Sequence, residues 1–367
     1  MTTRIYRSDD SGAPVLTGQV GTLITVLTKC LVDGYGSKTA AGWSIALSGT
    51  NKVIFQNTTG KYYRIQDNGL TDANYATVQG NIASICGVTT FTGIDNFLQP
   101  YPRVISGGDI YSARSYGVTI QKRKMHDVNP SHTSPWIVIA DERTCYLITG
   151  WTTNNTNATS DLWTTSRGVY GFGDIELFNS GDTNSADAFV MGGSLVSVGW
   201  FSGPITTDYR EYSIGYLYNA NHMGDRIFLN KSQENGAHSV AGRLYGQMYN
   251  RYGGDCRTAV GDGQYIRYTI NGSVITGGVV LNPLMVCEDT ADTIRTVEYA
   301  AYGLLSHGKL RGIQGCMHTT DTANMYKLTT EGSTITIDGT DYFIFSTLVT
   351  GDTIASNCLA ISLGAWT

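Results

Sequence analysis

Trp136-Ile137-Val138-Ile139-Ala140-Asp141-Glu142-Arg143-Thr144-Cys145-Tyr146-Leu147-Ile148-Thr149-Gly150-Trp151 is the stretch that decides the fold. Two runs of β-forming residues, Trp136–Ala140 and 144–151, flank the polar Asp141-Glu142-Arg143, which reads as a hairpin. Working outward, the same pattern recurs. Lys52–Gln56 and 61–66 enclose Asn57-Thr58-Thr59-Gly60. Segments 264–270 and 273–276 enclose Asn271-Gly272, a dipeptide that tolerates positive φ at both central positions of a type I′ turn. Thr334–Ile337 and 341–347 turn through Asp338-Gly339. Connections are local and antiparallel, and no strand–helix–strand alternation appears, so a doubly wound nucleotide-binding fold is not expected.

Helical periodicity is scarce. Over 22–32, Leu23, Ile24, Leu27, Cys30 and Leu31 recur at offsets of three and four, with Thr22 placed to cap the start and Gly34 to stop the helix. A weaker pattern covers 293–305. The expected fold is mainly β, antiparallel and hairpin-rich, with one or two short helices, in sandwich-like or irregular β domains. Residues 1–20 are polar and broken by Gly and Pro, which suits an extended N-terminal arm. The expected organisation places that arm before an N-terminal α+β domain at 21–126 and a larger β-rich domain at 136–367. The Pro-containing polar stretch 127–135 is the junction.

The chain has 367 residues with 25 Lys and Arg against 30 Asp and Glu, a net charge of −5. Charged residues make up 15%, below the roughly 25% of an ordinary soluble domain, whereas Gly (44) and Tyr (23) are abundant. An apolar content of 41% permits a core and argues against wholesale disorder. Apolar runs fall far short of the roughly 20 residues that span a bilayer, and the N-terminus lacks the apolar region of a signal peptide. No membrane partner is expected. Nor is nucleic acid: the most basic stretch, Lys122-Arg123-Lys124, reads as a solvated strand end rather than a polyanion footprint.

Chemistry-bearing motifs are few. Seven scattered cysteines read as reduced, buried thiols. The six histidines show no HExxH spacing, and no G-x-S-x-G elbow occurs. Gly34-Tyr35-Gly36-Ser37-Lys38-Thr39 fails as a phosphate loop, because Ser37 separates Gly from Lys and a helix precedes it; the glycines read as a helix stop and turn. The Gly-flanked Asp255 and Asp262 read as turn residues rather than calcium ligands. No catalytic residue, cofactor or metal is assigned. Paired carboxylates raise a carbohydrate-active alternative: Asp141 and Glu142 in a turn, or Asp174 and Glu176 on one strand face, roughly 7 Å apart along the backbone. The solvated strand face is the preferred reading. Tyr and Arg are enriched at interfaces, and Tyr209, Tyr212, Tyr216, Tyr218, Tyr245, Tyr249 and Tyr252, with Arg4 and Tyr6 on the arm, are the candidate interface residues.

Several segments carry a resemblance: Pro14-Val15-Leu16-Thr17-Gly18; Cys30-Leu31-Val32-Asp33-Gly34-Tyr35-Gly36-Ser37-Lys38-Thr39-Ala40-Ala41-Gly42-Trp43; and Ser48-Gly49-Thr50-Asn51-Lys52. Further echoes are Pro135 through Arg143, Phe172-Gly173-Asp174, and Leu310-Arg311-Gly312-Ile313 before His318. Together they resemble a family of uncharacterised tailed-bacteriophage virion structural proteins, densely over 14–52 and patchily afterwards. The resemblance implies a non-enzymatic virion component, assembled in the host bacterial cytoplasm, with other virion proteins and further copies of itself as partners. A capsid-bound decoration protein is the leading expectation. The alternatives are a tail or baseplate component contacting a host-surface glycan, and a carbohydrate-active virion enzyme.

Overall fold

The computed structural model describes residues 2–67, 82–98, 118–122, 131–150, 168–181, 187–194, 214–218, 226–228, 279–287, 306–318, 334–346 and 358–366. In chain order these form β1 (Arg4–Arg7), β2 (Leu16–Thr17), α1 (Thr22–Thr28), β3 (Ser44–Gly49), β4 (Lys52–Gln56), β5 (Tyr62–Gln66), β6 (Ile82–Val88), β7 (Thr90–Gly93), β8 (Asn96–Leu98) and β9 (Val118–Gln121). There follow β10 (Thr133–Ser134), β11 (Trp136–Ala140), β12 (Thr144–Thr149), β13 (Gly168–Leu177), β14 (Ala188–Ser194), β15 (Ile214–Tyr218), β16 (Arg226–Phe228), β17 (Val279–Cys287), β18 (Ser306–His318), β19 (Thr334–Ile337), β20 (Thr340–Ser346) and β21 (Cys358–Ser362). The architecture is mainly antiparallel β with one short helix, as the hairpin pattern predicts.

The main sheet has 12 strands and runs β1-β11-β12-β13-β18-β21-β20-β19, with β14 to β16 branching from β13 and β17 pairing β18. It curls into a half-barrel. Its first strand returns alongside its last ones, where the Thr3 hydroxyl donates to the Gly364 carbonyl (2.5 Å) and the Arg7 guanidinium lies 5.4 Å from the Phe343 ring centre. A second sheet, β3-β4-β5-β6-β9, and α1 cover one face of the first.

This layering explains the opening stretch. Side chains alternate across a strand, so Trp136, Val138, Ala140, Cys145 and Leu147 enter the core beneath α1 and the second sheet. Ile137, Ile139, Tyr146 and Ile148 enter a second core inside the curl, with Ile313, Phe343, Ile361 and Trp366. A strand buried on both faces reads as a continuous apolar run, and β11 and β12 are buried at every residue.

The 52–66 and 136–149 hairpins form, with Gln56 opposite Tyr62 and Ala140 opposite Cys145. At Asp338-Gly339 both residues have positive φ (50° and 76°), the signature of a type I′ turn. The Asn271-Gly272 hairpin and the 293–305 helix lie outside the described residues. The first helix is shorter than expected: α-helix covers Thr22–Thr28, and Lys29–Asp33 winds as a π-turn before Gly34 (φ 80°) closes it on the Lys29 carbonyl (2.8 Å). Thr22 does not cap. Its hydroxyl donates to the Thr17 and Gln19 carbonyls, Gly21 takes the cap position, and the carboxylate of Asp67 accepts from the Leu23 N–H (2.8 Å).

Residues 1–20, read above as an arm, supply β1 and β2. Register Arg4↔Ala140 through Arg7↔Ile137 seats β1 on β11, and β2 pairs with β10 inside the stretch 127–135. The core beneath α1 draws on residues from Tyr6 to Val190, on both sides of that stretch.

Candidate functional site

Two of the acids singled out from sequence, Asp141 and Asp174, come together at the start of β12 through Arg143 and Thr144, whereas Asp255 and Asp262 lie outside the described residues. Within the Asp141-Glu142-Arg143 turn, the Asp141 Oδ1 accepts from the backbone N–H groups of Arg143 (2.9 Å) and Thr144 (2.7 Å). This side chain makes the turn. Both carboxylate oxygens also face Arg311 on β18, at 3.2 Å from Nη1 and 2.8 Å from Nη2, and both side chains are fully buried. Arg311 further donates to the Thr144 hydroxyl (2.9 Å) and the Trp366 carbonyl (3.2 Å), while its own carbonyl accepts from the Tyr146 hydroxyl (2.7 Å).

Where β12 begins, β18 takes over as the neighbour of β13: Gly173 still pairs with Thr144, whereas Ile175 pairs with Leu310. Asp174 sits at this handover and is buried. Its Oδ2 accepts from Arg143 Nε (2.7 Å), and its Oδ1 accepts from Asn57 Nδ2 (2.8 Å), with the Thr59 hydroxyl 2.9 Å from the same oxygen. Asn57 and Thr59 belong to the β4–β5 turn, so Asp174 ties the second sheet to the first. Gly173 permits the close approach. Its φ is 142°, and a Cβ there would lie 2.5 Å from the Arg143 carbonyl oxygen.

Glu176, two residues along, is partly exposed and pairs with Lys309 at 2.9 Å. The two acids are therefore not equivalent. A catalytic pair needs one carboxyl poised to give up a proton and another free to attack or to activate water. Asp174 instead accepts from a guanidinium and an amide, the usual state of a buried charge that is paired and hydrogen-bonded.

A second buried pair, Lys122 with Asp67, was missed from sequence. The sequence predicts a solvated strand end at Lys122, but the side chain is fully buried, salt-bridged to Asp67 Oδ1 and donating to the Gln19 carbonyl (2.8 Å). Burial pushes the Asp67 carboxyl up, and Lys122 opposes that shift. The signal for it was spatial. Nothing in the run Lys122-Arg123-Lys124 marks one lysine as interior. Arg311 likewise stands in Leu310-Arg311-Gly312-Ile313 with nothing local to mark it as interior.

Of the candidate interface residues, Arg4 is partly exposed and donates to the Thr2 (3.2 Å) and Ala41 (3.5 Å) carbonyls. Tyr6 is fully buried, and its hydroxyl donates to the Thr39 carbonyl (2.8 Å). Tyr216 and Tyr218 lie on β15 opposite Val190 and Ala188 of β14. Tyr209, Tyr212, Tyr245, Tyr249 and Tyr252 lie outside the described residues. The failed phosphate loop has a structural use: Lys38 Nζ donates to the Ile5 carbonyl (3.1 Å) and pairs with Asp10 (3.3 Å), which also accepts from the Tyr35 hydroxyl (2.8 Å). The loop clamps β1.

No protein-family model matches the chain, and no curated protein matches it.

Proposed function

We propose that the chain is a non-enzymatic structural component of a tailed-phage virion, a capsid-bound decoration protein that stabilises the particle through protein–protein interfaces. The observation that carries this reading is the use made of the candidate catalytic acids. Asp141 and Asp174 are occupied by Arg311, Arg143, Asn57 and two backbone N–H groups, and they hold distant segments together. The patchy echoes of the virion family support it too. Pro135 through Arg143, Phe172-Gly173-Asp174 and Leu310-Arg311-Gly312-Ile313 converge on this network, so in each the resembling residues serve the architecture.

The test begins with particles purified from the phage that encodes the chain. Mass spectrometry should find the protein in them, and immunogold labelling should mark the head. Label confined to the tail tip would favour the tail or baseplate reading. For the carbohydrate-active reading, purified protein is incubated with host envelope glycans, and release of reducing sugar is compared with that of an Asp174→Asn variant. No release is expected from either. Release lost in the variant would overturn the proposal.

A further inference from the structure

Sheet edges with unpaired backbone groups are templates for another strand, and proteins usually blunt them with charge, proline, bulges or cover. Two edges here are blunted in this way. The loop after α1 covers β1, through Lys38 on the Ile5 carbonyl and the Tyr6 hydroxyl on Thr39. A bulge between Ile45 and Leu47 distorts β3. Strand β19 differs. Thr334-Ile335-Thr336-Ile337 carries no charge, proline or bulge, and among the described residues it pairs with β20 alone.

The turn fixes which backbone groups face outward. In a hairpin closed by a two-residue type I′ turn, the flanking residues, here Ile337 and Thr340, exchange both ladder bonds, and bonding then alternates along the strand. Ile335 and Ile337 therefore bond to β20, and the N–H and C=O of Thr334 and Thr336 point away from it. We propose that this edge joins two copies of the chain, β19 against β19, antiparallel about a two-fold axis at Thr336. The proposal rests on the reading above, of a protein that acts through protein–protein interfaces, and deepens it by naming a second copy of the chain as one partner.

Face parity selects the register. A two-fold axis normal to the sheet keeps each side chain on its own face, so opposed residues must differ by an even number of positions. Centring on Thr336 sets Thr336 opposite the partner's Thr336, with their outward groups exchanging two bonds. Ile335 then lies opposite the partner's Ile337, extending the face on which Ile335 already packs near Ile344 and Ala360. Charge also permits the match. The first acid after the strand, Asp338, sits in the turn, and the two-fold sets its two copies at opposite ends of the paired strands; Asp341 lies one strand inward and accepts from the Thr336 hydroxyl (2.5 Å). The two copies of Asp341 would be three strand spacings apart, about 14 Å, beyond the ~8 Å screening length at physiological salt. With so short a strand the contact is reversible.

Sedimentation velocity on the full chain, from micromolar to submillimolar concentration, should show a monomer–dimer equilibrium. Thr336→Pro removes an outward N–H without touching the β19–β20 ladder, and Thr336→Lys sets two ammonium groups face to face. Each should raise the dissociation constant at least about tenfold with an unchanged far-ultraviolet spectrum. A Thr336→Cys variant should oxidise to a disulfide-linked dimer that the wild-type chain does not form. A monomeric wild-type chain, or a folded Thr336→Lys variant that associates like wild type, overturns the proposal. These measurements need no particle, so their failure and that of the virion reading are separate outcomes.

Discussion

At the scale of single residues, the Asp141–Arg311 pair cannot lose one member cheaply. Both side chains are fully buried, and removing one partner strands the other's charge at a cost of about 3–5 kcal/mol. Asp141→Ala and Arg311→Ala should each lower stability by that amount in urea titrations. The double variant Asp141→Leu/Arg311→Met should recover much of the loss, because apolar replacement of a whole buried pair is often neutral. If the double variant is as unstable as the singles added together, the pair is not the unit of stabilisation. The thiols behave oppositely. Burial pushes Cys86 up to about 12 and Cys30 and Cys145 well above the usual thiol value, so thiolate is scarce at neutral pH. Iodoacetamide at about pH 8 should leave these three unmodified in the native protein and label them after denaturation, as read by peptide mapping. Native labelling of Cys145 would contradict its placement. The sequence reading of the cysteines as small buried hydrophobes holds at Cys30, Cys86 and Cys145, where the structure describes them, but it could not single out Lys122 or Arg311. A buried cation is recognised by its partner, and the partners lie 55 and 170 positions away.

Among the elements, glycines in left-handed conformations separate turn strain from crowding. Gly339 has φ 76° and open space around it, whereas Gly312 has φ 70° and a Cβ there would lie 2.2 Å from the Trp366 ring. Gly339→Ala should cost only the conformational strain, about 1–2 kcal/mol. Gly312→Ala should cost clearly more, because it also expels the ring that packs against Tyr146. Equal losses in melting experiments would show that Trp366 is not seated on β18. The hairpins were legible because turn chemistry is local: Asn57-Thr58-Thr59-Gly60 and Asp338-Gly339 contain the conformations they adopt. The end of α1 was not. Its apolar periodicity continues through Leu31, while the backbone changes to a π-turn at Lys29, and the cap comes from Asp67 rather than from Thr22.

For the whole molecule, composition suggested an arm at residues 1–20, since short polar segments rarely bury much surface. The single buried tyrosine of β1 changes what that segment does. Tyr6 fills the core, β1 completes an edge of the main sheet, and Thr3 meets Gly364 across the curl. Deleting residues 2–12 should therefore destabilise the isolated protein. Loss of Tyr6 alone is of the order of a large-to-small core substitution, about 3–5 kcal/mol. A truncated chain that melts like the full one would show that β1 is dispensable. The unbroken apolar run at β11 and β12 correctly implied strands, but their burial on both faces depends on a sheet that curls back on itself, which no local pattern encodes.

The role proposed for the chain, a particle component that works through contact, is open to direct measurement. Its most direct test is the copy number per particle, by quantitative gel densitometry against the major capsid protein. Decoration of the head predicts hundreds of copies. A count on the order of three to eighteen, set by the cyclic symmetry of a tail assembly, would contradict the decoration role, and absence from the particle would contradict the account as a whole.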